Sequence, residues 1–468
     1  MKRSDRQAML SRRRFLRMAA VGTGGALLAA CGAPQVATPA ASDAPTAGSA
    51  PAITAAPAVI SGNPTITVMI LAKELPEEAI KQFNAIYPNI KINVVESDTT
   101  RLFAMYAAGN PPDVVRVQAP SIPQLLARKL LLDLTPYFQS SELLKIDDLG
   151  PANQYYKANG PTQIGEGQIY GMARDWSPDF TLWANKAAFE DGGVPLPDEK
   201  TPLTYQQIDE IARKLTKMEG DRVARWGYGY GDFWIDRIWM NMLAETGKSL
   251  YADDYTRIDL VNNGEARKIA QYYFDLAKDK VVASPISPSP SWNGDDFTKG
   301  NLALLQYGYW YSGMAEGDTT KGNVVMLPAP TWAGERRDPT MTATGFVITQ
   351  GSKNPDAAWK FFEWYLGSER MVEQAKQGGG IPSLKSMYQY MPNETPFEKQ
   401  VQRVLQEELQ YANKPLQFNP FLGESTVVDS WNKNLDQALK GTISFDDLLT
   451  NVEAEVNMAI KEGIDRIG

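Results

Sequence analysis

The residues of this chain whose types and spacing could do chemistry are aromatic rings set beside acids and an arginine. They occur as Arg174-Asp175-Trp176, as Asp232-Phe233-Trp234, and as Tyr309-Trp310 with Glu316 close behind. Trp292-Asn293-Gly294-Asp295-Asp296 is a weaker fourth case. A sugar presents an apolar face of C–H groups, which lies on an aromatic ring. It also presents a rim of hydroxyls, which needs carboxylate acceptors and guanidinium or amide donors. Each cluster offers both. Large aromatics also fill cores, and Trp359 and Trp364 read that way. Trp310 reads as ligand-facing, because it follows a strand in a Gly-flanked segment where a loop begins. For Trp176 and Trp234 platform and core stay equally open.

Two close carboxylate pairs, Asp175 with Asp179 and Asp232 with Asp236, raise a hydrolytic alternative, a secreted carbohydrate-active enzyme. Glycoside hydrolysis needs two carboxylates at a set separation, and proximity along the chain does not create one. The chain has no histidine. That removes Ser-His-Asp and Cys-His nucleophilic machinery and the usual zinc sites, so an enzyme is not expected, nor a metal or cofactor. Gly378-Gly379-Gly380 lacks the Lys-Ser/Thr of a phosphate loop and opens no helix. It reads as a hinge or a close-approach turn. Gly345, ahead of Phe346-Val347-Ile348, either lets a ligand approach the backbone or relieves crowding in its strand.

The elements that must position these residues begin at Thr65. Thr65 to Leu71 alternates and is β-branched, which predicts a strand. Pro76 to Tyr87 predicts a helix with Ala79, Ile80, Phe83 and Ile86 on one face. Ile90 to Val95 is a second strand, Thr99 to Ala108 a helix, and Asp113 to Val117 a third strand. A β-α-β-α-β run makes parallel strands with right-handed crossovers. Ligands on such sheets sit beyond the carboxyl ends of the strands, which places Glu74 and Gln118 on the functional edge. Further along, Tyr205 to Met218 reads as a helix capped by Thr204, Leu302 to Gln306 and Thr344 to Thr349 as strands, and Pro355 to Leu366 as a helix. The tail from Ser430 is mostly helical. The class is α/β.

The N-terminus carries Arg12-Arg13-Arg14-Phe15-Leu16, a short apolar run, and then Leu28-Ala29-Ala30-Cys31-Gly32. This resembles a twin-arginine export signal fused to a bacterial lipobox, which implies cleavage before Cys31 and its lipidation. Cys31 is the single cysteine. Residues 31–62 are mostly Ala, Pro, Ser and Thr and read as a disordered tether. The whole chain carries a net charge of −8; residues 1–30 hold seven bases and one acid, so their removal leaves −14. An acidic protein of that size argues against nucleic acid as a partner. The roughly 400 residues beyond the tether exceed one compact core and predict two lobes.

Several short segments add a resemblance to these readings. Phe83-Asn84-Ala85-Ile86-Tyr87-Pro88-Asn89-Ile90, Ala107-Ala108-Gly109-Asn110-Pro111-Pro112-Asp113-Val114, Leu131-Leu132-Asp133-Leu134-Thr135-Pro136, Gly308-Tyr309-Trp310 and Asn354-Pro355-Asp356-Ala357-Ala358-Trp359 occur in one order. The chain thereby resembles the extracellular solute-binding proteins of family 1, the maltose-binding-protein-like sugar receptors of ABC importers. The resemblance implies a type II two-lobe periplasmic-binding-protein-like fold, with lobes of 63–174 plus 343–381 and of 175–342 plus 382–468. Hinge crossings are expected near Ala173 to Asp179, Thr342 to Gly345 and Gly380 to Ser386. It implies a carbohydrate ligand, an ABC permease as partner, a lipid anchor on the outer face of the cytoplasmic membrane, and a monomer. It gives Trp310 the stacking role and places Tyr309, Arg174, Asp175, Trp176, Asp232, Trp234 and Trp431 at ligand-facing positions. One departure stands out: where the maltose receptor continues its third strand into an aromatic and an acid, this chain has Gln118-Ala119-Pro120.

Overall fold

The computed structural model describes Ile60 and residues 62–467. Cys31, the expected export signal and nearly all of the expected tether lie outside them.

Three strands open the first sheet: β1 (Thr65–Ile70), β2 (Lys91–Glu96) and β3 (Val114–Val117), with β1 parallel to both of the others. Helices Glu77–Ile86 and Thr99–Ala107 make the crossovers. Pro76 stands at the N-cap of the first, where its missing N–H costs nothing. Asp98 caps the second by accepting from Arg101 N. An antiparallel hairpin, β4 (Lys157–Gly160) and β5 (Gln163–Ile169), precedes β6 (Gly171–Ala173). The sheet order is β2-β1-β3-β13-β6. β13 (Gly345–Ile348) returns late in the chain and runs antiparallel to β3 and β6.

The second sheet runs β12-β8-β11-β10-β9. Its strands are β8 (Leu182–Asn185), β9 (Lys217–Glu219), β10 (Arg222–Tyr230), β11 (Leu302–Gln306) and β12 (Val324–Leu327). β10 and β11 are parallel and the other pairings antiparallel. The Tyr205–Leu215 helix starts in a capping box between Thr204 and Gln207. It stops three residues short of the predicted Met218, because Lys217–Glu219 leaves to pair with β10.

Alternation in β1 decides which core each side chain enters. Ile66, Val68 and Ile70 pack with Phe83, Trp359 and Trp364 beneath the first sheet. Met69, Val115 and Val117 face the other way, into a core that continues through Tyr155, Trp176 and Phe180 into the second lobe. Apolar residues on both faces are what a covered parallel sheet requires. Ile86 departs from its predicted buried face and is 59% exposed.

The chain passes between the sheets after β6, after β12, and between Gln377 and the Pro396–Glu408 helix. Two of these passages pair with each other: β7 (Asp175–Trp176) and β14 (Ile381–Pro382) form a two-stranded ribbon. Arg174 N donates to Thr344 O at 2.7 Å and Tyr156 Oη to Ala343 O at 2.6 Å, which ties in the remaining passage. Buried Asn153 donates to Ser383 Oγ and accepts from Ala173 N. Leu384 and Met387 still pack in the first lobe's core, so the chain leaves that lobe after them.

Candidate functional site

Between the two sheets lies a cleft of about 590 Å³, within the roughly 300 to 1,000 Å³ usual for ligand sites. The carboxyl ends of β1 and β3 supply Glu74 and Gln118. β7 supplies Asp175 and Trp176, the residue before it Arg174, and the second lobe Trp234 and Trp310.

The first-lobe wall is an ionic lattice. Glu74 binds Arg116 through Oε2 at 2.8 Å and Arg174 through Oε1 at 3.0 Å. Arg174 Nε also reaches Asp175 Oδ2, which accepts from Gln374 Nε2 at 3.1 Å as well. Burial works against the Arg174 guanidinium; Asp175 and Glu74 more than offset it and raise its pKa. Pairs this enclosed hold their geometry, and the guanidinium and carboxylate edges left over are preset for hydroxyl groups.

The second-lobe wall is aromatic. Trp310 meets Trp234 edge to face, with centroids 5.9 Å apart and planes at 89°. It also packs on Tyr307 at 5.0 Å and lies nearly parallel to Trp292 at 6.2 Å. The turn that carries it, Tyr309–Met314, follows β11 through Gly308. A Cβ on Gly308 would come within 2.3 Å of Asp179 Oδ1 and 2.5 Å of Pro178 O. Glycine here serves the close approach of this turn to the hinge segment, which sets the height of Trp310 in the cleft.

Seven of the residues singled out from sequence therefore line one cleft: Glu74, Gln118, Arg174, Asp175, Trp176, Trp234 and Trp310. Trp176 is 2% exposed, so most of its ring packs against the hinge. Four others do not line it. Trp431 is 1% exposed and stacks edge to face on Trp239 at 4.7 Å, which makes it a core residue and corrects its expected place on the cleft. Tyr309 points away from Trp310; its buried hydroxyl accepts weakly from Gln402 Nε2, and it borders a separate cavity of about 440 Å³. Successive residues of a helical turn diverge, and only one of the two can face the cleft. A Cβ on Gly345 would lie 2.2 Å from Met172 O and 2.6 Å from Tyr156 Oη, so crowding between strands explains this glycine. Asp232 is exposed past the end of β10 and outside the lining.

Neither carboxylate pair forms on the cleft. Asp179 is 2% exposed, accepts from Ser177 Oγ, Thr340 Oγ1 and Met341 N, and is pushed to a pKa of about 6 by burial. Asp236 is buried too and likewise raised to about 6. Sequence reasoning missed Arg116, Gln377 and Thr344 as lining residues. Arg116 had a signal, a charge inside the apolar run Val114–Val117. Thr344 fell within the hinge crossing expected near Thr342 to Gly345, and Gln377 had no signal. Among the described residues no group of His, Cys, Asp and Glu could hold a metal ion, and no helix is long and apolar enough to cross a membrane.

Two lobes joined by three crossings, two of them paired as a short ribbon, with a polar and an aromatic wall facing across the gap, define a two-lobe binding protein of the type II periplasmic class. The chain belongs to the bacterial extracellular solute-binding protein family, whose model matches residues 70–371. A maltotriose-binding protein of Pyrococcus abyssi is 22% identical over 192 residues, a stretch that covers 40% of this chain and 40% of that protein. Among solved structures, an ABC substrate-binding protein of Listeria monocytogenes in complex with cycloalternan superposes with a TM-score of 0.70 at 23% identity, over 85% of this chain and 99% of that one. The sugar-binding protein MalE of Xanthomonas citri gives 0.63 at 16% identity, over 85% and 98%. A solute-binding protein of Agrobacterium vitis with bound D-mannitol gives 0.66 at 17%, over 86% and 99%.

Proposed function

We propose that this protein captures a carbohydrate between its lobes outside the cytoplasmic membrane and delivers it to the membrane subunits of an ABC importer. The observation that carries the reading is the pairing of walls. Trp310 and Trp234 offer apolar ring surface from one lobe, and the Glu74–Arg116–Arg174–Asp175 lattice offers fixed donors and acceptors from the other. A polyhydroxylated ring needs both, one on its face and the other around its edge. The names of the similar proteins, which mention maltotriose, cycloalternan and mannitol, support the same substrate class. Lobe closure would bring the walls together, and a lipid on Cys31, with residues 32–62 as a tether, would keep the receptor beside its permease.

A thermal-shift screen tests this directly. Ligand that binds only the native state raises the melting temperature by mass action. Saturating amounts of at least one mono- or oligosaccharide from a broad glycan panel are expected to raise it. A panel in which no saccharide does so, while a polyamine or peptide does, would overturn the substrate class.

A further inference from the structure

Behind the cleft, the hinge encloses a pair of acids that ligand binding does not use. Asp338 lies in the crossing that follows β12, and Glu408 ends helix Pro396–Glu408; both are 0% exposed. Their carboxyl groups hydrogen-bond to each other. Phe180 N donates to Asp338 Oδ1 at 2.7 Å, and Arg336 Nη2 donates to Glu408 Oε1. That leaves Asp338 Oδ2 and Glu408 Oε2, which no donor among the described residues reaches. Two carboxylates in contact out of water repel and have no hydrogen to share. One proton between them removes a charge and supplies the missing donor.

The surroundings decide which carboxyl carries it. Glu408 has the cation, Arg336, which also reaches Glu407 Oε1 at 3.5 Å and lies 4.3 Å over the Tyr411 ring. Among the described residues Asp338 pairs with no cation: Arg337, its neighbour in sequence, turns to Asn241 Oδ1 at 3.4 Å. Asp338 faces Asp179 from the first crossing and the Tyr205 hydroxyl from helix Tyr205–Leu215. Burial, and then the Glu408 charge beside it, hold the Asp338 carboxyl well above its ordinary 3.8. Asp338 is therefore the acid and Glu408 the carboxylate that accepts from it.

The position matters as much as the chemistry. Asp338 N donates to Tyr411 O at 3.0 Å, and Asp179 N donates to Pro339 O at 3.3 Å. The pair thus sits where the first crossing, the second crossing and the helix after the third meet. We infer that Asp338 and Glu408 share a single proton that acts as a pH-sensitive clasp on the hinge: its release to solvent at alkaline pH sets two like charges against each other and loosens the second crossing. The unfolded chain gives up both protons above the ordinary carboxylate values of 3.8 and 4.5, whereas the folded pair keeps one. The contribution is present in full below those values. Above them the folding constant falls about tenfold per pH unit until the clasp proton leaves.

Asp338→Asn puts an amide where the protonated acid stood; its carbonyl can accept from Phe180 N and its NH₂ can donate to Glu408. Urea unfolding of the full-length chain across pH should show the parent's folding constant falling against the variant's at that rate. The infrared difference between parent and variant should contain a protonated-carboxyl C=O band that disappears at alkaline pH. Amide exchange of residues 336–341 should then rise beyond its intrinsic pH dependence in the parent alone. Parallel urea profiles, or a difference spectrum without that band, overturn the shared proton. A band that titrates with no change in exchange overturns the clasp. Should the variant fail to fold, the Phe180 amide resonance of the parent decides. It must shift at a pH above the value of about 6 at which neighbouring Asp179 titrates, and a resonance that stays fixed there while the chain remains folded overturns the proposal.

Discussion

Replacing Trp310 with Ala should weaken sugar binding and folding by separable amounts. The ring is only partly exposed, and its neighbours are Trp234, Trp292, Tyr307 and Tyr311. Removing a fully enclosed Trp costs roughly 3 to 5 kcal/mol of stability. Because part of Trp310 faces the cleft, its loss should cost less, about 2 kcal/mol, chiefly the aromatic contacts at roughly 0.5 to 1.5 kcal/mol each, reduced by relaxation of the neighbours. A central aromatic platform at a binding surface is worth about 2 to 4 kcal/mol of affinity, which is roughly thirty-fold to a thousand-fold in Kd. Urea unfolding without ligand gives the first quantity. Calorimetry well below the melting temperature, with a saccharide identified by thermal shift, gives the second. A variant that is much less stable yet binds with unchanged affinity would refute the platform role and return Trp310 to the core.

Trp431→Ala supplies the opposite pattern: with 1% exposure and a 4.7 Å edge contact to Trp239, it should lose roughly 3 to 5 kcal/mol of stability and keep its affinity; a selective affinity loss would contradict this. Glu245 should make stability depend on pH. Burial pushes its pKa from the usual 4.5 to about 7 although Trp332 N and Ala333 N both donate to Oε2. The folded state then holds a proton that the unfolded state releases, so this contribution is present in full below pH 4.5 and is lost as pH rises through about 7. Urea midpoints of the parent should fall relative to those of Glu245→Gln across that window, and parallel profiles would refute the shift. Hinge closure predicts a smaller radius of gyration by small-angle scattering with saturating saccharide, against an unchanged radius if the lobes do not move. Cys31→Ala should move the protein from the membrane fraction to the soluble one; continued sedimentation with membranes would rule out the lipid anchor.

How much of this could be read before the structure varies by residue. Short-range pattern was enough for the parallel start of the first sheet, since β-branched alternation, helix caps and crossover length all act within a few residues. From that start alone, Glu74 and Gln118 were assigned to the edge that now lines the cleft. Aromatic-acid clustering likewise singled out Trp310 and Trp234. Composition by itself removed histidine-based chemistry. Which ring of a cluster faces outward was not written there. Tyr309 and Trp310 are adjacent, and only the course of the turn after Gly308 sends one to the cleft and the other inward. Trp431 sits on a helix whose orientation is fixed by packing on Trp239, some two hundred residues earlier, and no local signal reports a contact at that distance. The same holds for Ile86, which helical periodicity consigns to the core, and for the Glu74–Arg174 pair, which joins a residue after the first strand to one a hundred positions on. Local forces determine elements and their edges, whereas a binding surface is made of residues brought together by packing, and packing is decided by the whole chain at once.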